Sequence, residues 1–437
     1  MDRETPPGEE QISATEIAED SVTPSGSPES VAGWKLPTSL RALRQRNYRL
    51  YFFGQLVSMT GLWMQTTALA WVIYSMTHEN RWPAHIATAQ ILPTFLLGAW
   101  GGSLADRWPK RELIFVTQAA ALLQALLLFA MVGAGVHEPW MLVAVTGLGG
   151  LIQAVDFPAR LAFVLDLTTR EDLMNAVALN SAVFNVARVV GPALGGLTLF
   201  WLGPEMCFLL NAASYLAVLW ALYEMRIDSR TAKPIHSSGL RSLLGGLSYL
   251  RSHPELAWLL VLVATTCMCG WPFLALLPNI AEDRFKLAEK VYSVLLSATG
   301  LGALFGAVVV AIYGTMERTK YFMRGGVFMV TVSLLGLAIA GSVPAAILWV
   351  SLCGCGLILF LATCQSVLQL SSGEHNRGQI MGIYAVIISG AVPLGNQIVG
   401  HVADYAGVTK VLLGQGLVCG AAALVVFALV RMGRKTV

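Results

Sequence analysis

The chain has 437 residues, 55% of them hydrophobic and only 13% charged, with a mean hydropathy of +0.63. Soluble domains carry roughly 25% charged residues, so this composition excludes an ordinary soluble enzyme and indicates an integral membrane protein. The net charge of +3 is small and the basic residues are dispersed, so no nucleic-acid-binding stripe is present.

Residues 1–38 read as a disordered acidic cytoplasmic tail. They are rich in Pro, Ser, Glu and Thr, with acids far outnumbering the basic Arg3 and Lys35, and hold no apolar core of a cleavable signal. Apolar stretches near the ~20 residues needed to cross a bilayer then recur along the chain. They lie near 49–75, 84–105, 112–135, 139–159, 174–199, 205–224, 255–279, 291–314, 322–341, 344–368, 378–401 and 409–431. Backbone polar groups in hydrocarbon must be satisfied within the element, so these are expected to be helices. The expected fold is an all-α membrane protein of twelve transmembrane helices in two six-helix bundles. The first bundle covers 39–226 and the second 254–431, followed by a basic tail at 432–437.

Between them, residues 227–253 form a cytoplasmic linker. Leu240, Leu243, Leu244 and Leu247 fall at i, i+3, i+4, i+7, with Arg241 and Arg251 nearby, which predicts a short amphipathic helix. It either lies on the membrane surface or packs on the bundle ends. Alternating the loops puts 23 of the 29 Lys and Arg on the side of both termini, with Arg160 counted among those loop cations. That skew predicts cytoplasmic termini and an even number of spans.

One repeat echoes across the chain. Gly102-Ser-Leu-Ala105-Asp106 ends the second stretch and Gly400-His-Val-Ala403-Asp404 ends the eleventh, on opposite sides of the expected membrane. Inverted repeats have this property. The seven cysteines sit in apolar runs. Cys267-Met-Cys269 and Cys353-Gly-Cys355 lack paired histidines, so they read as packing residues, and neither metal nor cofactor is expected.

Within the fifth stretch lies Asn185-Val-Ala-Arg188-Val-Val-Gly191-Pro192-Ala-Leu-Gly195-Gly196. A cation at bilayer depth costs ~2.5–3.5 kcal/mol on insertion scales, so Arg188 should face a cavity or a partner. It reads either as an anchor for an anionic or carbonyl-rich cargo or counter-charge of a proton site, or as half of a fixed pair with an acid or with Gln153. Arg does not readily titrate, so it is not itself the proton carrier. Gly191, Gly195 and Gly196 permit close helix approach, and Pro192 permits a bend.

The loop Gly102-Ser-Leu104-Ala105-Asp106-Arg107-Trp-Pro109-Lys110-Arg111 resembles the signature between helices two and three of the major facilitator superfamily, departing from it at Pro109. Gly191-Pro192-Ala-Leu-Gly195-Gly196 resembles that superfamily's antiporter motif, associated with export. The run from Pro158-Ala-Arg160 through Asn175 to Asn185 is similar to the bacterial branch of enterobactin exporters and macrolide-efflux proteins. The resemblance implies two bundles around a central cavity, alternating access and energisation by protons. It also implies a cytoplasmic gate of Asp106, Arg107, Lys110, Arg111 and Asp156. In it Asp106 faces the start of the eleventh helix near Arg377-Gly378, and Lys110 meets an acid on the fourth helix, a role given to Asp156.

The proton carrier has no strong candidate. Asp156, Asp166, Asp404 and His401 all lie near helix ends, and the first helix has Trp63, Gln65 and Thr66 where drug antiporters often place an acid. The cavity wall is expected to include Arg188, Asn185, Trp63, Gln65 and Gln153, with further amides and aromatics such as Tyr51, Gln55 and Asn180. Such a mixture suits a large amphipathic cargo. No phosphate-cradling loop, catalytic triad or channel filter stands out, so neither an enzyme nor a channel is expected.

The leading expectation is a monomeric exporter in the bacterial inner membrane, acting as a proton antiporter on a drug-like or siderophore-like small organic molecule. A nutrient or lipid importer and a non-transporting sensor or partner are the alternatives.

Overall fold

The computed structural model describes residues 38–135, 138–169, 171–225, 239–286, 288–314 and 317–433. The acidic tail up to residue 37, the first part of the linker and residues 434–437 lie outside them. A 3-10 turn, Thr38–Arg44, leads into α1 (Arg46–Thr77). The first half continues with α2 (Arg81–Arg107), α3 (Lys110–Gly133), α4 (Pro139–Asp166), α5 (Leu173–Leu202) and α6 (Pro204–Glu224). A short helix, α7 (Gly239–Ser252), precedes α8 (Pro254–Cys269), which runs on through α9 (Phe273–Asn279) into a π turn at Ile280–Arg284. The chain ends with α10 (Ala288–Tyr313), α11 (Thr319–Ile339), α12 (Val343–Ser371), α13 (Gly373–Ala406) and α14 (Val408–Gly433).

Glycine and proline punctuate these long apolar runs. Pro139, Pro204 and Pro254 open their helices, where the missing N–H has no intrahelical partner to lose. Gly203 and Gly407 take positive φ angles of 86° and 85°, so the chain reverses within one residue between α5 and α6 and between α13 and α14. Among the described residues, eleven helices are long and apolar enough to cross a membrane. In addition α2, with 27 residues, packs lengthwise between α4 and α13.

Helix fills all twelve apolar stretches, with two informative departures. The fourth stretch was expected to stop at 159, but α4 continues to Asp166 and draws Arg160 into the bundle, where it is 5% exposed. Arg160 is therefore a buried helix residue, not the loop cation of the orientation count. The seventh stretch, read as continuous, breaks at Gly270-Trp271-Pro272 and then extends to Arg284. In the linker, α7 sets Gly245 and Gly246 against Gln379 and Ile383 of α13, so that part packs on the bundle. The side chains of Leu240, Arg241, Leu243 and Leu244 lie outside the described residues, and Leu247 is exposed.

Corresponding helix pairs in the halves meet without intervening side chains. Gly101 on α2 lies against the Ala154 carbonyl of α4, and Gly302 on α10 lies against the Ser351 carbonyl of α12. A methyl group at either glycine would overlap that carbonyl. Gly98, one turn before Gly101, faces open space. Overpacking typically costs ~1–3 kcal/mol. Gly101→Val and Gly302→Val are therefore expected to lower the melting temperature of the purified protein by several degrees, while Gly98→Ala leaves it within about a degree.

Candidate transport cavity and gates

The helices define two ends: a near end, where α1 starts, and a far end, where α1 turns into α2. At the far end the two halves are joined by hydrogen bonds. Asp404, closing α13, accepts from the backbone N–H of Asn80 at 2.7 Å, from its side-chain amide at 3.1 Å and from the N–H of Arg81 at 3.2 Å. Asn80 is the N-cap of α2 and provides no side-chain cap of its own. The acid of one half thus caps a helix of the other, satisfying N–H groups that the helix leaves unpaired and meeting the positive end of its dipole.

Further bonds extend the closure. Gln397 donates to the carbonyl of Ala84 and the hydroxyl of Thr88, at 3.1 and 2.7 Å. Tyr74 donates to Asp283 at 3.0 Å and accepts from Asn279 at 2.7 Å. Tyr292 donates to the Thr67 carbonyl at 3.1 Å and stacks on Trp71. Gly196 of α5 lies directly on Ser293 of α10.

Arg188 stands midway along α5, between the halves. Its guanidinium carbon is 5.7 Å from the ring centre of Trp63 on α1, 5.0 Å from Phe184 on α5 and 5.3 Å from Trp271 of the second half. The break between α8 and α9 is what positions Trp271. The Arg188 Nε is buried without a hydrogen-bond partner, and no acid pairs with Arg188 among the described residues. Three aromatic faces stabilise the charge by cation–π attraction, each worth ~0.5–2 kcal/mol when desolvated. Three residues on, Gly191 abuts Trp63 and Thr60, and Gly195 abuts Met64, which brings α5 onto α1. Pro192 lacks the N–H that would bond the Arg188 carbonyl, so the helix is weakened at the residue carrying the charge.

Toward the near end lies a second arginine site. Arg160 forms an ion pair with Asp156 one turn earlier and donates through Nη1 to the Oε1 of Gln55. Asp156, fully buried, also accepts from the Thr117 hydroxyl at 2.6 Å and the Gln118 amide at 3.1 Å. Arg160 lines a small cleft, open in part to solvent, between α1, α4 and α5. Tyr51, Gln55, Met59, Phe157, Asn180 and Phe184 complete most of the wall.

Several expected site residues occupy other positions. Lys110 meets Asp166, at 2.8 and 3.0 Å, and not Asp156, because α4 runs two further turns and carries Asp166 to the loop. Arg111 donates to the carbonyls of Leu222 and Tyr223 at 2.8 and 3.2 Å, tying α3 to the end of α6. Asp106 and Arg107 are exposed, with no ion pair or hydrogen bond to α13 among the described residues. Gln65 lies inside the first half, away from the Arg188 box. It accepts from Asn211 at 2.8 Å and donates to Gln124 at 3.3 Å, and Gln124 donates to the Val145 carbonyl at 3.2 Å. Gln153 is half-buried on α4 and makes no hydrogen bond to Arg188, and the side chain of Asn185 lies outside the described residues.

A polytopic helical bundle of two halves, joined at one end and carrying buried cations beside a cleft, defines the class as a membrane transporter. The chain belongs to the transmembrane secretion effector family of major facilitator transporters, which it matches over residues 37–436. It is 22% identical over 380 residues to the staphyloferrin A transporter of Staphylococcus aureus, covering 85% of this chain and 94% of that one. It is 27% identical over 349 residues to the enterobactin exporter EntS of Shigella flexneri, covering 77% and 80%. Its fold is similar to that of a bacterial homologue of the human lysosomal transporter Spinster, solved inward-facing and unoccupied. The TM-score is 0.66 at 12% identity, covering 88% of this chain and 97% of that one.

The amide relay through Gln65 yields a structural prediction. Gln65→Leu strands the Asn211 and Gln124 amides, and a buried unpaired polar group costs ~1–3 kcal/mol. The variant is expected to melt several degrees lower while retaining the ligand affinity of the parent, as measured on the same detergent-purified sample.

Proposed function

We propose that this protein exports a medium-sized organic compound across the bacterial inner membrane by alternating access, probing the cytoplasm in the conformation described here. In this reading α2 is a twelfth span, both termini are cytoplasmic, and the near end is the cytoplasmic one. The observation that carries it is the asymmetry between the ends. The far end is bonded through Asp404, while Asp106, its counterpart in the repeated Gly-x-x-Ala-Asp pattern, has no partner among the described residues. Two equivalent latches, one engaged and one free, are what an inward-open transporter requires. Closing the near end would bring Asp106 to the start of α13 as the far-end bonds to Asp404 break.

The enterobactin exporter among the relatives of low identity supports the direction, and the Gly191-Pro192 pattern agrees with it. Energy would come from proton antiport, which supplies the driving force in the absence of a nucleotide-binding loop. Everted membrane vesicles test the whole reading. Proton-dependent accumulation of a labelled siderophore or dye, absent from vesicles lacking the protein, is the expected result. Accumulation of no compound in a broad panel would leave a sensor or partner role in its place.

The latch pair gives a second measurement. Hydrogen bonds to charged groups contribute ~1.5–3 kcal/mol. Asp404→Asn should therefore shift the population toward far-end opening by roughly tenfold, read as longer distances between spin labels on the far ends of α2 and α13. Asp106→Asn should shift it the opposite way and slow transport. Arg188→Ala should abolish transport and Arg188→Lys retain a fraction of it. Parental activity in both would remove Arg188 from the mechanism.

A further inference from the structure

The cleft between α1, α4 and α5 contains polar hydrogens that nothing in the protein uses. The Tyr51 hydroxyl and the Gln55 Nε2 are both buried and both lack a partner. The orientation of the Gln55 amide is decided by Arg160, which donates to its oxygen and so leaves the NH₂ directed elsewhere. Arg160 pairs Nε with Asp156 and donates through Nη1 to Gln55, and Nη2 has no hydrogen-bond partner among the described residues. Uncompensated buried donors cost ~1–3 kcal/mol each, so the two of Tyr51 and Gln55 beside one cleft call for an explanation.

The charge state of the cleft is one-sided. The negative charge of Asp156 is met by Thr117, Gln118 and Arg160, and no acid lines the cleft. The Gln55 amide nitrogen and the Arg160 guanidinium can only donate, and the Tyr51 hydroxyl can donate beside them. Asn180 is the other polar residue of the wall, and the rest is apolar and aromatic, with Phe157 on α4 and Phe184 on α5. Phe184 also faces the Arg188 guanidinium, so the cleft is continuous with the aromatic box between the halves.

We infer that this cleft binds the carboxylate of an aromatic organic acid, with Arg160 supplying the charge and Tyr51 and Gln55 donating to its oxygens. A planar two-oxygen group matches one guanidinium edge and two neutral donors, and the rings of Phe157 and Phe184 take the apolar body. Met59, unbranched and flexible, shifts to admit the oxygens. Asp156 is a positioning residue in this arrangement: it holds the Arg160 guanidinium in the wall and does not touch the ligand. The inference deepens the transport reading by naming the chemical class of the cargo, yet equilibrium binding needs no transport, so the two can fail separately.

The test is saturation binding of radiolabelled 2-naphthoate to the full chain in detergent, with methyl 2-naphthoate as competitor. Saturable binding of the acid is expected, with the ester at least tenfold weaker. Tyr51→Phe keeps the ring on Phe163 and removes only the hydroxyl. It should weaken the acid about fivefold without lowering the melting temperature. Arg160→Ala strands the buried Asp156 carboxylate and endangers folding, so Arg160→Lys serves instead, with an expected loss of tenfold or more. Absence of saturable binding, equal binding of acid and ester, or an unchanged affinity in Tyr51→Phe would each overturn the assignment. So would loss of binding in Arg188→Ala alone, which moves the carboxylate to the aromatic box. Binding that persists where vesicles show no accumulation would count against the exporter reading only.

Discussion

The arrangement of the two halves depends on one constraint, the need of a helix terminus to satisfy its free N–H groups. At the far end α2 meets that need with a carboxylate from the other half of the chain, Asp404, 324 residues from Asn80. A cap made this way is different in kind from one made by a neighbouring residue. A local cap stabilises its helix in every conformation, whereas a cap borrowed across an interface is lost when the interface opens. The stability of the start of α2 is thereby linked to the conformation of the whole bundle. Gln397, Tyr74 and Tyr292 add bonds of the same kind, and each would have to exchange its partner for water or another group if the far end parted.

Two arginines within the membrane-spanning region are stabilised by different means. Arg160 is paired through Nε with Asp156 and bonded through Nη1 to Gln55, which fixes it in the wall of α4. Arg188 has no anion and is held by three aromatic faces, one of them, Trp271, from the second half. Cation–π attraction is weaker and less directional than an ion pair, so the guanidinium keeps its hydrogen-bonding capacity. Were the halves to move apart, Arg188 would lose one face of its box and Arg160 would lose nothing. The first is thus sensitive to conformation and the second is a fixed feature of the first half.

Much of this was legible in the sequence, for identifiable reasons. A bilayer permits only internally bonded elements, so apolar run length located the helices, and a lone cation in such a run marked Arg188. The same reasoning missed Arg160. Asp156 and Arg160 look like the polar end of a span, although their i, i+4 spacing is what allows a charged pair to be carried inside a helix. Having stopped α4 early, the reading also chose the wrong acid for Lys110, since Asp166 lay beyond the assumed end. The break at Gly270-Trp271-Pro272 was visible as residues but not as geometry, because a proline inside a membrane helix is often tolerated. Gln65 was legible as buried and polar. Which neighbours it bonds depends on packing among four helices, and no local pattern reports that.

The position of α5 explains why its sequence combines glycine, proline and arginine. Gly191 and Gly195 place it against α1, and Gly196 places it against α10 of the other half. Small residues on two faces let the helix contact both halves closely without interlocking side chains, so it can slide or tilt with little steric penalty. Pro192 adds compliance at the Arg188 carbonyl, where the backbone bond is missing. Displacement of α5 relative to α10 at Gly196 would therefore move Arg188 relative to Trp271, while Phe184, one turn earlier, stays beside the Arg160 cleft. A ligand reaching from that cleft to Arg188 would span a part of the wall that is fixed and a part that moves. Its binding energy would then differ between conformations, and only such a difference lets a ligand bias the equilibrium between them.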